Sequence, residues 1–274
     1  MKERKIIDAV YERDAIIDWI KNYFIQNGNE KTKAVIGISG GKDSTIAAAL
    51  LVRALGPQRV VGVLMPQGTQ KDIDDAYEVC KILNIPHFTI DIESACNSLY
   101  RAVDEGYDFD RTCSTDPRIA TNTPARMRMI TLYTIATMVE GRVCNTGNAS
   151  ELYVGYTTKY GDLAGDFALF NDYYVRDVLA IGSTMSEIPD YLLFKIPSDG
   201  MCNMTDEENL GFSYETLDEY CLDSILPSYD ILRNIKQRHA ISKHKNVILL
   251  PTPRVRSRHK EGAEWKPAEP EYWF

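Results

Sequence analysis

None of the six cysteines (Cys80, Cys96, Cys113, Cys144, Cys202 and Cys221) belongs to a C-x-x-C pair. That leaves no sign of a zinc site or redox dithiol, and the cysteines read as reduced, packing thiols. No apolar run approaches the ~18 residues a membrane span requires, and the N-terminal MKERKIIDAVYERD is too charged for a secretory core. A cytoplasmic protein without membrane contact is expected. Positive charge is also in short supply, with 31 Lys and Arg against 39 Asp and Glu for a net charge of −8. This argues against a general nucleic-acid binder, so any polyanionic ligand must meet locally clustered cations.

What is present is an ordinary globular composition, 44% hydrophobic and 26% charged over 274 residues, enough for a core without staples. Residues 8–27 have helical spacing and stop at Asn27-Gly28. Short β-branched runs then alternate with amphipathic ones: strands at 34–39, 60–65 and 86–91, helices at 43–55, 71–84 and 92–103. Residues 104–123 read as a loop, and Thr123-Pro124 as the cap and first position of a helix to about 140. A strand at 142–147 follows, then a long polar and glycine-bearing stretch and helices near 174–188, 206–222 and 228–245. The tail from 250 is charged and proline-rich. Such alternation implies an α/β fold with a parallel sheet flanked by helices on both faces. One domain, 1–274, accounts for the whole chain, with ligands beyond the carboxyl ends of the strands.

The most informative residues are Ser39-Gly40-Gly41-Lys42-Asp43-Ser44-Thr45, directly after a strand and opening a helix. Glycines let backbone N–H groups approach an anion, and the helix N-terminus adds partial positive charge, so the loop is suited to phosphate. The spelling excludes two familiar loops. A Walker loop fails at Ile36 and at Asp43 after Lys42, and a dinucleotide loop fails at Gly37-Ile38-Ser39.

SGGKDS resembles the S-G-G-x-D-S signature of the ATP pyrophosphatases, which cut ATP between its α- and β-phosphates. Further along, MPQGTQKDIDDA (65–76), NTPARMRM (122–129), NTGNASELYVGYTTKYGDLAGD (145–166), KIPSDG (195–200), TDEENLGFSYETLD (205–218) and SKHK (242–245) resemble, in this order, the blocks of the NAD synthetase family. The resemblance implies an adenine nucleotide α-hydrolase-like fold, a homodimer, and a ligase that makes NAD from deamido-NAD, ATP and ammonia through an acyl adenylate. It places ATP along Ser39, Gly40, Gly41, Lys42, Asp43, Ser44 and Thr45 and at Thr146 and Ser198. Magnesium falls on Asp43 and Glu151. Deamido-NAD falls on Arg126, Lys159, Asp166, His244 and Lys245, and Asp162 lies near the reacting ammonia. Glu151 also has a capping-box reading with Asn148. Arg126 and Arg128 point about 200° apart on a helix, so only one is expected to reach the substrate; the resemblance selects Arg126 and leaves Arg128 for a solvated or interfacial face.

The chain departs from the family at three places. K-Y-G-D-G-G is here Lys159-Tyr160-Gly161-Asp162-Leu163-Ala164, which removes glycines a special backbone conformation could need. A lysine expected to contact ATP near 175 is Val175. The usual K-G before Asn122 is Ala120-Thr121. Two other classes compete: a tRNA-modifying adenylating enzyme, for which paired cysteines or a basic surface would be expected, and a non-catalytic nucleotide-binding module, which has no use for Glu151 or the Arg126 and Lys159 blocks. The homodimer has a physical basis too, because MRMITLYTIATMV (127–139) is apolar at nine of thirteen positions around its whole circumference.

Overall fold

The computed structural model describes residues 4–70, 73–106, 118–195, 205–245 and 250–263. A two-residue strand β1 (Lys5–Ile6) precedes helix α1 (Ala9–Gln26), which Asp8 caps by accepting from Tyr11 N at 3.0 Å. There follow β2 (Lys33–Gly37), α2 (Lys42–Leu55), β3 (Val60–Leu64), α3 (Ile73–Ile82), β4 (His87–Thr89), α4 (Glu93–Glu105), α5 (Arg118–Met138), β5 (Gly141–Asn148), α6 (Ala149–Val154) and β6 (Phe167–Phe170). Short helices α7 (Val175–Gly182), α8 (Asp190–Leu193), α9 (Asp206–Leu210) and α10 (Tyr214–Asp223), the longer α11 (Tyr229–Ser242) and a last strand β7 (His259–Lys260) complete the described chain.

Strands β2 to β6 form one parallel sheet in the order β4-β3-β2-β5-β6. Successive side chains of a strand point to opposite faces, and both faces are apolar. Ala34 and Ile36 of β2 pack with α1, α2, α3 and α7, while Val35 between them packs with α4 and α5. A third cluster, built on Val154, Val175, Leu210, Phe212, Tyr214, Leu217 and Ile235, joins α6 to α11 beside the sheet. The chain runs outward from β2 to β4 and resumes at β5 on the other side of β2, so the strand order reverses between β2 and β5. In open α/β sheets that reversal opens a crevice at the carboxyl ends of the strands.

β7 pairs antiparallel with β1, Lys5 opposite Lys260. The joint is reinforced by Glu12 of α1, which is fully buried. Its carboxylate accepts from Tyr173 Oη at 2.8 Å, Arg256 N at 2.8 Å and Ser257 N at 2.6 Å. Arg258 pairs with buried Asp177 at 2.7 Å, and Arg176 with Asp223 at 2.6 Å.

Three local expectations change. Helix α5 starts at Arg118 and carries Pro124 inside it. The proline withholds one hydrogen bond, but the preceding turn is held from outside, Thr158 Oγ1 donating to Asn122 Oδ1 at 2.9 Å. Strand β6 lies within the stretch that reads as polar loop. All four of its residues are buried, and Ala168 N donates to Pro251 O at 3.0 Å, so the C-terminal segment covers this edge of the sheet. The helical reading over 206–222 divides into α9 and α10 at Gly211, whose φ is +80°.

Candidate active site

Strand β2 ends at Gly37, and the chain turns from it into α2 through the glycine loop. Gly40 adopts φ +76°, and a Cβ there would meet Asp75 Cβ at 2.8 Å and Ala76 N at 2.9 Å. The loop therefore passes against the start of α3 in a conformation and a space that favour glycine. Ser39 N donates to Ser44 Oγ at 3.2 Å, the Ser39 and Ser44 hydroxyls lie 3.0 Å apart, and Thr45 Oγ1 donates to Gly41 O at 2.8 Å. These bonds set the turn that opens α2, whose N-terminal N–H groups and dipole favour an anion.

This loop walls a cavity of about 340 Å³ at the strand-order reversal, closed on the far side by Thr146 and Gly147 of β5 and by Met65 after β3. Of the residues singled out in the sequence, Ser39, Gly41, Lys42, Asp43, Ser44, Thr146, Glu151 and Asp162 line it. Gly40 and Thr45 shape the loop behind them. Ser198 lies outside the described residues.

Asn148 organises the acids. Its side chain accepts from Glu151 N at 3.1 Å while Glu151 Oε2 accepts from Asn148 N at 3.0 Å, a complete capping box, and its Nδ2 reaches Asp43 Oδ1 at 3.4 Å. Glu151 thus caps α6 and faces the cavity at once. Burial, and next the charge of Asp43, hold its carboxyl well above the usual carboxylate range. Lys42 is 6% exposed and donates to Asp43 Oδ2 at 2.9 Å. Burial pulls its pKa down, but Asp43, Glu151 and Asp206 outweigh that and leave it raised. Asp162 is pushed up to about 6 by burial, against the opposing hydrogen bond from Thr158 N. Among the described residues no three His, Cys, Asp or Glu side chains gather as a self-sufficient metal site. A hard cation bound here by Asp43 and Glu151 must complete its shell with ligand or water oxygens.

The other predicted positions stand around the cavity. Arg126 is exposed, its Nε donating to Lys159 O at 3.3 Å, and the Lys159 ammonium lies over the Tyr160 ring. Arg128, assigned to an outer face, instead lines the cavity, with Nε donating to Met65 O at 3.2 Å. Asp166 accepts from Val143 N at 2.7 Å and lines a separate recess with Tyr133 and Arg142. Lys245 donates to Gly155 O at 2.8 Å and Thr157 O at 2.6 Å, bracing the loop that leads to Asp162, while His244 is exposed. Leu163 and Ala164 do not have positive φ, so the two replaced glycines are not needed for the backbone. Val175 is buried in the third cluster, and Arg176 points away from the cavity to Asp223.

Sequence reasoning assigned no role to two further charged residues of the cavity. Lys195 pairs with Asp75 at 2.6 Å, and Asp206 accepts from Tyr156 Oη at 3.3 Å. Both fall inside sequence blocks recognised as family-like, which was the available signal.

The NAD synthase family profile matches residues 12–261. An NH3-dependent NAD(+) synthetase of Alkaliphilus metalliredigens is 35% identical over 250 residues, covering 88% of this chain and 97% of that protein. One from Methanococcoides burtonii is 38% identical, covering 78% and 79%. Among solved structures, an NMN synthetase from Francisella tularensis superposes with a TM-score of 0.79 at 31% identity, covering 89% of this chain and 98% of that one. The Campylobacter jejuni NH3-dependent NAD synthetase, in complex with a nitrate ion, gives 0.66 at 26% identity with the same coverages.

Proposed function

Because the chain belongs to the NAD synthase family, we propose that it is an ATP-dependent carbon–nitrogen ligase that makes NAD from deamido-NAD, ATP and ammonia. The observation that carries this reading is the convergence of the glycine loop, Asp43, Glu151 and Asp162 on one cavity at the strand-order reversal. The nicotinate carboxylate attacks the α-phosphate of ATP, pyrophosphate leaves into the Ser39–Thr45 loop, and ammonia then displaces AMP from the acyl adenylate. Lys42 and the N-terminal N–H groups of α2 take up the charge of the leaving pyrophosphate. Asp162, braced by Asn145 Nδ2 donating to its backbone carbonyl at 2.6 Å, stands where an incoming ammonia can give up a proton.

Magnesium suits Asp43 and Glu151, two carboxylates tied to one asparagine on the wall of the phosphate cavity; bound there it neutralises phosphate charge and polarises the α-phosphate. Ser198 completes the ATP contacts. Arg126, Lys159, Asp166, His244 and Lys245, all outside the cavity, are assigned to deamido-NAD. Glu151→Gln tests the metal assignment against the capping one, since glutamine also serves a capping box. The variant is expected to melt with the wild type and to lose at least about a hundredfold in turnover. Near-normal turnover would leave Glu151 with the cap alone.

The reaction itself is tested by omitting each substrate in turn. AMP, pyrophosphate and NAD are expected in equal amounts only when ATP, ammonia and deamido-NAD are all present, and glutamine is expected to serve poorly as a nitrogen donor. ADP as the main product would overturn the mechanism. A second reading, supported by the likeness to the Francisella NMN synthetase, keeps the chemistry and takes nicotinate mononucleotide as the acid. Competing the two acids at equal concentration decides between them.

We also propose a homodimer assembled through α4 and α5, which expose Leu99, Val103, Ile119, Ile130 and Met138. Sedimentation at low micromolar concentration is expected to show twice the 31.0 kDa chain mass; a fully active 31 kDa species would exclude it.

A further inference from the structure

A lysine in the second half of a glycine loop would ordinarily reach toward solvent or phosphate, but Lys42 folds back. Its ammonium is 2.9 Å from Asp43 Oδ2 and 5.6 Å from the centroid of the Tyr214 ring. Adjacent positions of a helix point about 100° apart, so the Lys42–Asp43 contact is one the local backbone does not impose. It holds because a buried ammonium must be paired, and this one has carboxylates of Asp43, Glu151 and Asp206 around it.

Tyr214 carries a second clue. The same tyrosine packs in the apolar cluster that buries Val175, the position where the family resemblance implies a lysine on ATP. That ammonium is missing from the start of α7, and one delivered by the glycine loop sits on the ring of Tyr214 instead. The other two cations lining the cavity, among the described residues, are engaged elsewhere: Lys195 with Asp75 and Arg128 with the Met65 carbonyl.

We propose that Lys42 is an exchangeable counter-ion, which holds Asp43 in the nucleotide-free protein and moves to the terminal phosphates of ATP when a divalent cation takes the carboxylate. The proposal rests on the reading of Asp43 and Glu151 as cation ligands. Its consequence is that cation and nucleotide bind poorly apart and well together. Each relieves a cost that the other alone must meet: the cation has to break the Lys42–Asp43 pair, and the released ammonium needs the phosphates.

The test gives opposite signs to two affinities. Lys42→Gln and Lys42→Met both keep the stem and remove the charge. In either variant, Mn2+ binding to the nucleotide-free protein, measured by electron paramagnetic resonance, is expected to strengthen about tenfold, while calorimetric binding of magnesium-ATP weakens at least about tenfold. Lys42→Arg keeps the charge and is expected to leave Mn2+ binding close to wild type. A fall in both affinities, or unchanged Mn2+ binding in Gln and Met variants that melt normally, overturns the exchange. Adding Asp43→Asn to Lys42→Gln separates this from failure of the underlying assignment. Loss of Mn2+ binding keeps Asp43 as a ligand, whereas its persistence removes the ligand reading and the proposal with it.

Discussion

Asparagine in place of Asp43 is expected to lower NAD formation by on the order of a thousandfold or more, with the fold intact. The substitution keeps the shape of the side chain and one oxygen that can accept from Asn148 Nδ2. It deletes the charge that pairs with Lys42 and that the proposed divalent cation requires. Asp43 is the second residue of α2, with 17% of its side chain exposed, so the loss of charge disturbs no apolar packing. The buried Lys42 ammonium still has the carboxylates of Glu151 and Asp206 near it, so thermal melting should fall by only a few degrees while pyrophosphate release disappears. Substantial remaining turnover at saturating magnesium would show that the glycine loop alone neutralises the leaving group and that Asp43 is a helix-start acid favouring the dipole.

The largest effect on stability is expected far from the cavity, at Glu12. Alanine there leaves the buried Tyr173 hydroxyl and Ser257 N–H, and the part-buried Arg256 N–H, without their acceptor. A buried donor without a partner costs about 1–3 kcal/mol, and relaxation of the C-terminal segment recovers part of the sum, so a net loss of about 3–5 kcal/mol is expected. Denaturant unfolding followed by fluorescence measures it as a drop in midpoint with little change in slope. A loss under about 1 kcal/mol would mean that water or another donor set replaces the carboxylate, and that residues 250–263 are held by their other contacts.

The two effects mark what was legible in the sequence. The glycine loop could be read because its structure is local: seven consecutive residues make one turn and one helix start. The strands β2 and β3 could be read because central parallel strands are near-continuous apolar runs bounded by turn residues. Strand β6 escaped because four apolar residues inside a glycine-bearing stretch have no period to display. The residue pairs at β1 and β7 are too short to show any. Arg126 and Arg128 illustrate a further limit: helical geometry says that they diverge, but the cavity-facing direction depends on how α5 packs on β2 and β5. The fold turns Arg128 to the cavity and Arg126 to the surface. Glu12 was invisible for the same reason, its partners lying up to 245 positions away. Val175 is the converse case, since its departure from the family was plain in the sequence, while the position of the Lys42 ammonium over the ring of Tyr214, a member of the cluster that buries Val175, became visible only in the fold.

The closure of the fold by Glu12 also sets a timetable for synthesis. A chain made from its N-terminus exposes α1 first, yet the backbone groups that satisfy its buried carboxylate belong to residues 256 and 257. At about 5–20 residues per second, the 245 intervening positions take about 12–50 seconds to translate. For that interval α1 carries an acid on the face that will pack against the sheet, and desolvating it without its partners is unfavourable. The sheet edge at β6 likewise waits for Pro251. The complete hydrogen-bond set of Glu12 therefore cannot form before residues 256 and 257 have left the ribosome.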